Sequence, residues 1–437
     1  MSRASYRAVV MIGGGLLTLS PALATGVAGA LAAPVADGGT LAQPAGSVRL
    51  VSARADGSPG GRASAGARLS DNGRWVVFTS ETAFVRRDTN AAKDVYLVDR
   101  STGRKTLVSR SFEGGSANNR SENPDISADG RFITYNSAAT NIMPGVAAGG
   151  LYRYDRVTGE QTFVAELGFY SAVSDDGRYV AFNRPSGIVY LADIQTGEEV
   201  LVSHDADDPD QPVSQSWQPR ISADGTLVTY YGYYDSLAAD DHNGIRDVFL
   251  WDRRTNTSTL VSAAESGSSG NRASDDPDIS ADGRRVAFTS SASDLVAGVT
   301  ENDPQIYVKN MITGVIRLVS VNAQGEPATD YEFTMSYLPV ISPDGGSVAF
   351  VSSADDLVPD ARTSTMDAYV RHIGPRITEL ASHDPRGNGA NAPSIHVAIS
   401  EGGESVAFTT DATDLFGAEQ IRPRWQVFTF RSAVPQN

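Results

Sequence analysis

The chain has 437 residues, 36 Lys plus Arg against 52 Asp plus Glu, a formal charge of −16 and no cysteine. The missing cysteine excludes disulfides, thiolate metal sites and cysteine nucleophiles. The acidic balance argues against a nucleic-acid partner. Forty-one per cent hydrophobic residues suffice for a packed core.

Arg3 and Arg7 precede a stretch from Ala8 to Val35 without any charge, with small-x-small sites ending at Ala24, Ala30 or Ala32. This pattern predicts a Sec-type signal peptide over 1–33, and hence a secreted or cell-surface protein. The alternative is an uncleaved anchor, for which the Ala, Gly and Pro21 content is poorly suited. Membrane contact is expected only in that second case. Residues 34–46 read as a flexible linker and 433–437 as a tail.

From there a repeat takes over. A Ser-x-(Asp/Asn)-Gly turn recurs at Gly73, Gly130, Gly177, Gly225, Gly283 and Gly345, with a degraded copy at Gly403. Each turn follows an aliphatic residue. Val or Ile stands three positions after each glycine and an aromatic residue five positions after: Phe78, Tyr135, Phe182, Tyr230, Phe288, Phe350 and Phe408. Asp-Gly supplies the positive φ of a tight hairpin turn. Side chains two apart share one face of the following strand. A second hairpin follows, its first strand marked by Tyr96, Tyr152, Tyr190, Phe249, Tyr307, Tyr369 and Phe428. Four antiparallel strands in each of seven copies predict an all-β, seven-bladed β-propeller over 47–432.

The blades are expected at about 66–109, 123–166, 170–203, 218–262, 276–320, 338–382 and 396–432. The last copy lacks a fourth strand. Arg49-Leu50-Val51-Ser52 repeats Arg317-Leu318-Val319-Ser320 letter for letter. The N-terminal strand at 48–52 should therefore complete the last blade and close the ring.

The repeat Pro277-Asp278-Ile279-Ser280-Ala281-Asp282-Gly283-Arg284-Arg285-Val286-Ala287-Phe288 resembles the TolB-like, or PD40, propeller repeat. It departs from that pattern where a tryptophan often precedes the serine; here the position is aliphatic. The resemblance covers roughly 48–432 and implies the fold. It leaves activity open, because the family mixes binding scaffolds, carbohydrate-related proteins and propellers attached to peptidases.

Loop lengths point to one face. In six blades the second- and third-strand aromatics are 17–20 residues apart, and in blade 3 only eight. The connections between blades are also long. Strand alternation puts both kinds of long loop on one side of the disc, where binding is expected, with a notch at blade 3. Three groups of candidate residues follow. Trp217, Tyr231, Tyr233, Tyr234, Tyr331, Phe333 and Tyr337 form a ligand platform, or else pack onto their own blades. Arg68, Asp125, Arg220 and Asp278 form either an axial acid–base site or inter-blade ion pairs at the inner rim. Asp241, Asn243 and Asp247, and at the same spacing Asp88, Asn90 and Asp94, suggest an oxygen-ligand Ca²⁺ loop or self-capped turns. The five histidines lack metal-like spacing. No nucleophile elbow, P-loop or dinucleotide fingerprint occurs.

These observations favour a secreted, monomeric, non-catalytic binding module without a cofactor, other than calcium if the loops hold it. Its partner would be a glycan or an extracellular protein. The alternatives are a glycan hydrolase or lyase with carboxylates on the same face, and a passive scaffold.

Overall fold

The computed structural model describes residues 43–146, 149–264, 266–300, 303–329, 334–359, 365–415 and 424–435. The expected signal peptide and most of the expected linker lie outside them. Among the described residues no helix is long and apolar enough to cross a membrane.

Each Ser-x-(Asp/Asn)-Gly turn is held by its own side chains. In blade 1, Ser70 Oγ donates to Asn72 Oδ1 at 2.9 Å and accepts the Trp75 N–H at 3.0 Å. Asn72 Oδ1 also accepts the Arg74 N–H. The same three bonds recur at Ser127–Asp129, Ser174–Asp176 and Ser280–Asp282. The closing glycine needs a left-handed backbone, with φ of 71° at Gly130 and 70° at Gly283.

The strands leaving these turns carry the aromatic residues into register. Phe78 pairs with Tyr96 and Tyr135 with Tyr152. In all seven blades the rings from the second and third strands stack, with centroids 5.6–6.1 Å apart. Each stack contributes about 0.5–1.5 kcal/mol beyond its area burial.

Seven four-stranded antiparallel sheets result. The inner strands are Ser64–Leu69, Ser121–Ile126, Phe169–Val173, Ser216–Ile221, Ser274–Ile279, Ser336–Ile341 and Ser394–Ile399. Each touches the next around the ring, the last returning to the first. Apolar side chains gather into seven clusters, one in each gap between neighbouring blades. Every blade is thus buried by two neighbours, and the core is a ring. The protein is a seven-bladed β-propeller.

Closure follows the expected route and extends it. Ser47–Leu50 pairs antiparallel with Gln426–Arg431. Gln43, expected in the linker, is itself buried in the seam. Its amide donates to the Thr429 carbonyl at 2.8 Å and its oxygen accepts from Arg100 at 2.8 Å.

Every inner strand carries a β-bulge that its sequence does not announce. The bulge residue is left-handed in all seven: Gly66, Asn123, Tyr170, Gln218, Asp276, Leu338 and His396, with φ between 47° and 67°. Two residues oppose one on the second strand, as between Trp217 and Arg220. Pro124, Pro219, Pro277 and Pro339 follow the bulge residue directly. A proline is tolerated on this strand because the innermost edge has no further strand to bond.

Candidate functional site

The inner strands place four charges on the channel wall. Arg68 Nε lies 3.7 Å from Asp125 and Arg220 Nε 3.5 Å from Asp278. The other oxygen of each aspartate accepts a backbone N–H of the next blade, Val173 at 3.0 Å and Ile341 at 2.8 Å. Each aspartate therefore ties together three consecutive blades. Burial raises the Asp278 carboxyl to about 6 against the pull of Arg220. Asp125 is raised by the same cause. These residues form the inter-blade pairs, and the arginines occupy the carboxylates that an axial acid–base site would need free.

Beside them the channel narrows to a cavity of about 130 Å³. At its tight-turn end, backbone N–H groups reach the carbonyl of the next blade, as from Asp71 to Ala128 and from Ala281 to Pro343. Asp71, Asp175 and Glu401 gather here. Burial first, then Asp175 and Glu401, push Asp71 up to about 7.

The opposite mouth carries the long loops, and there a compact cluster forms over blades 4 to 6. Arg246 is its centre. Its guanidinium meets Asp275 at 2.6 Å and donates to the Tyr233 hydroxyl at 3.3 Å. It also lies about 6 Å over the rings of Tyr231 and Tyr233, whose centroids are 6.2 Å apart. Its Nε is buried without a hydrogen-bond partner. Asp276, the bulge residue beside Asp275, accepts from the Gln218 side chain and the Leu338 N–H. Burial, then the neighbouring carboxylate, raises Asp275; burial also raises Asp276. Tyr337 belongs to the same cluster, its hydroxyl raised by burial and then by Asp275 and Asp276.

Of the expected platform, Tyr231, Tyr233 and Tyr337 come together. Tyr234 stands beside them, 43 % exposed, its hydroxyl accepting from Gln215. Tyr233 is 39 % exposed. Trp217 packs on the neighbouring blade rather than its own: its indole lies against Gly187 in the short blade 3 turn. Blade 4 thereby leans into the expected notch, with Ser216 N–H bonded to the Gly187 carbonyl. Tyr331 and Phe333 lie outside the described residues. Sequence reading missed Arg246, Asp275 and Asp276; the Asp275-Asp276 doublet at a channel-lining position was the available signal.

In the expected calcium loops the asparagine amides bond across to neighbouring loops. Asn243 Nδ2 donates to Asp247 at 2.6 Å and to the Gly270 carbonyl at 2.9 Å, while its oxygen accepts the Ile245 N–H. Ser269 donates to Asp241 and Ser262 to Asp247. In blade 1, Asn90 Nδ2 reaches the Ala117 carbonyl, the Tyr96 hydroxyl donates to Asp88, and Ser109 donates to Asp94. Blades 5 and 7 carry Gln305 and Gln426 where these blades carry Asp247 and Asp94. Those amides reach the equivalent carbonyls, Ala328 and Gly60, alone. An upstream Asn with an Asp thus does the work of one Gln. Buried oxygens without partners remain on Asp88, Asp94 and Asp241, and also on Asp367, which has no such motif upstream. Among the described residues no three His, Asp or Glu side chains are placed to hold a metal ion.

One further constellation has catalytic spacing. Ser347 Oγ lies 2.9 Å from His372 Nδ1, and His372 Nε2 lies 3.0 Å from Glu379. Both Ser347 and His372 are only 2 % exposed. Glu379 is also bonded by Ser432 and the Ala433 N–H. The group is a buried lock between blades 6 and 7.

Geometry and contacts define a propeller with a walled channel and one polar-aromatic mouth. No protein-family model matches the chain, and no curated protein matches its sequence. Among solved structures it resembles TolB from Acinetobacter baumannii at 14 % identity, covering 74 % of this chain and 64 % of that one, TM-score 0.41. It resembles an oligogalacturonate lyase in complex with manganese at 13 % identity, covering 85 % and 89 %, TM-score 0.50. It also resembles the β-propeller domain of the Trilobed protease from Pyrococcus furiosus at 10 % identity, covering 86 % and 98 %, TM-score 0.50. Likeness at this level is a likeness of fold.

Proposed function

We propose that the protein is a secreted, TolB-like binding module that takes a glycan or a peptide at the long-loop mouth, over Tyr231, Tyr233, Tyr234, Arg246 and Tyr337. One observation carries the reading: two exposed tyrosines beside a guanidinium already oriented by Asp275, with its Nε still unbonded. Tyrosines offer apolar faces and a hydroxyl at low entropic cost, and a fixed guanidinium adds directional donors. The wall carboxylates Asp125 and Asp278 are Arg-paired, which supports binding over hydrolysis at that position. Isothermal titration of the exported protein against a glycan and peptide panel tests this. Tyr233→Ala or Arg246→Ala should weaken any ligand found by about tenfold or more. Equal affinity in both variants would refute the site.

The raised Asp275 and Asp276 carboxyls favour a second reading, a glycan-cleaving enzyme with a proton held at this mouth. New reducing ends or unsaturated products, abolished in Asp275→Asn, would establish it.

A further inference from the structure

A cavity of about 540 Å³ lies away from the mouth, along the outer edge of blade 1 where it meets blade 2. It runs from the turn holding Asp99, Thr102 and Arg104, past the outer strand Lys105–Leu107, to Arg87 and Gly114. Five cations line it: Arg87, Arg104, Lys105, Arg110 and Arg156. The chain carries a net charge of −16, so this concentration runs against its composition. The cavity's single carboxylate, Asp99, is already held by Arg74 at 2.7 Å. Among the described residues none of the five cations is ion-paired.

Their other contacts leave charge to spare. Arg110 bonds only the Gly159 carbonyl, and Arg156 Nε the Gly130 carbonyl at 2.9 Å. Arg156 and Arg110 also stack on Trp75 and Tyr154. Among the described residues the side chains of Arg87, Arg104 and Lys105 form no hydrogen bond, and Lys105 approaches the Phe84 ring. Burial, and then the nearby Arg49, hold Lys105 below the ordinary lysine value. Cations can protect a sheet edge from pairing. The outer strands Glu198–Leu201, Thr257–Leu260 and Ile377–Leu380 contain no Lys or Arg, so edge protection does not demand five.

We infer that this groove is a binding site for an acidic oligosaccharide, whose carboxylate or sulfate groups would meet Arg87, Arg104, Lys105, Arg110 and Arg156. Five cations spread over two blades suit a chain with spaced charges better than a single small anion. Thr102 and Thr106 offer hydroxyls to sugar hydroxyls. Arg74 and Arg156 lie over the Trp75 ring, so nucleobases find no free aromatic face there, and the acidic remainder of the molecule repels a long polyanion.

The test titrates the exported protein at low and at high salt with three probes: an oligogalacturonate, a heparin-derived tetrasaccharide and a neutral maltotetraose. Binding of either acidic probe, weakened by salt, is expected, and none of the neutral one. The preferred acidic probe separates carboxylate from sulfate recognition. The double variant Arg87→Glu/Arg104→Glu should weaken the acidic ligand by about tenfold or more. Both side chains are exposed and unbonded, so its circular dichroism and melting should match the parent. Arg246→Ala at the mouth should leave this affinity unchanged, which separates the two sites. Absence of acidic binding at low salt, equal binding of maltotetraose, or full affinity in the double variant would each overturn the inference.

Discussion

Asp278 shows how much one inner-rim side chain holds. It answers Arg220 in one neighbouring blade and the Ile341 N–H in the other. Asp278→Ala strands a half-buried guanidinium and a buried amide, and should cost about 2 kcal/mol in denaturant unfolding. Asp367 makes the opposite case. Ser382 and the Ala390 N–H satisfy one oxygen, the other is buried without a partner, and burial raises the carboxyl to about 7. A carboxyl raised from its unfolded value makes the fold bind more protons. Its stabilising share is therefore complete below about pH 4 and is lost as pH rises through 7. Asp367→Gln, with the residue already used at Gln305 and Gln426, should raise the melting temperature at pH 8. It should give no gain at pH 4. Such paired residues could be read from the repeat only in part. Arg68–Asp125 and Arg220–Asp278 were legible because each sits at one fixed offset in adjacent copies. Arg246–Asp275 was not, because it joins different offsets of two blades, and only the packed loops bring them together.

At the scale of the element, the turn and the bulge differ in how sequence encodes them. The turn requires a left-handed residue with no Cβ, so glycine recurs and the turn is legible. Its glycine also has a second duty, packing against the neighbouring blade. A Cβ at Gly130 would enter the Trp75 ring, whereas one at Gly197, in the turn between the third and fourth strands of blade 3 with φ 77°, would meet open space. Gly197→Ala should cost about 1 kcal/mol from backbone strain alone, and Gly130→Ala clearly more, read as a difference in urea midpoints. The bulge is left-handed too, yet its seven residues share no chemistry. Six of the seven carry a side chain in the left-handed region, so glycine does not mark the position. The expected calcium loops show the same limit of a one-dimensional pattern. Alternating Asp and Asn resembles a ligand loop in one dimension, but in three dimensions the Asn243 amide nitrogen faces Asp247.

For the whole molecule, seven clusters and no central core mean that stability depends on closure. The repeat count and the displaced fourth strand predicted that closure, and the pairing of Ser47–Leu50 with Gln426–Arg431 bears it out. The added grip of Gln43 was invisible, because a lone Gln in a Pro- and Gly-rich stretch carries no pattern. Deleting residues 47–53 should expose the edge of blade 7 and lower the single calorimetric transition of the entire ring. An unchanged transition would show that the seam is dispensable. The central functional claim, a ligand seated at the tyrosine mouth, is tested most directly by one thermal-shift panel. The unsubstituted protein, Arg246→Ala and Arg87→Glu/Arg104→Glu would be melted side by side with neutral and acidic glycans and peptides. A ligand at a hundred times its dissociation constant stabilises by about 2.7 kcal/mol, a shift of a few degrees at this size. The account predicts at least one ligand whose shift disappears in Arg246→Ala and persists in the double variant. A panel in which every shift survives Arg246→Ala would contradict it.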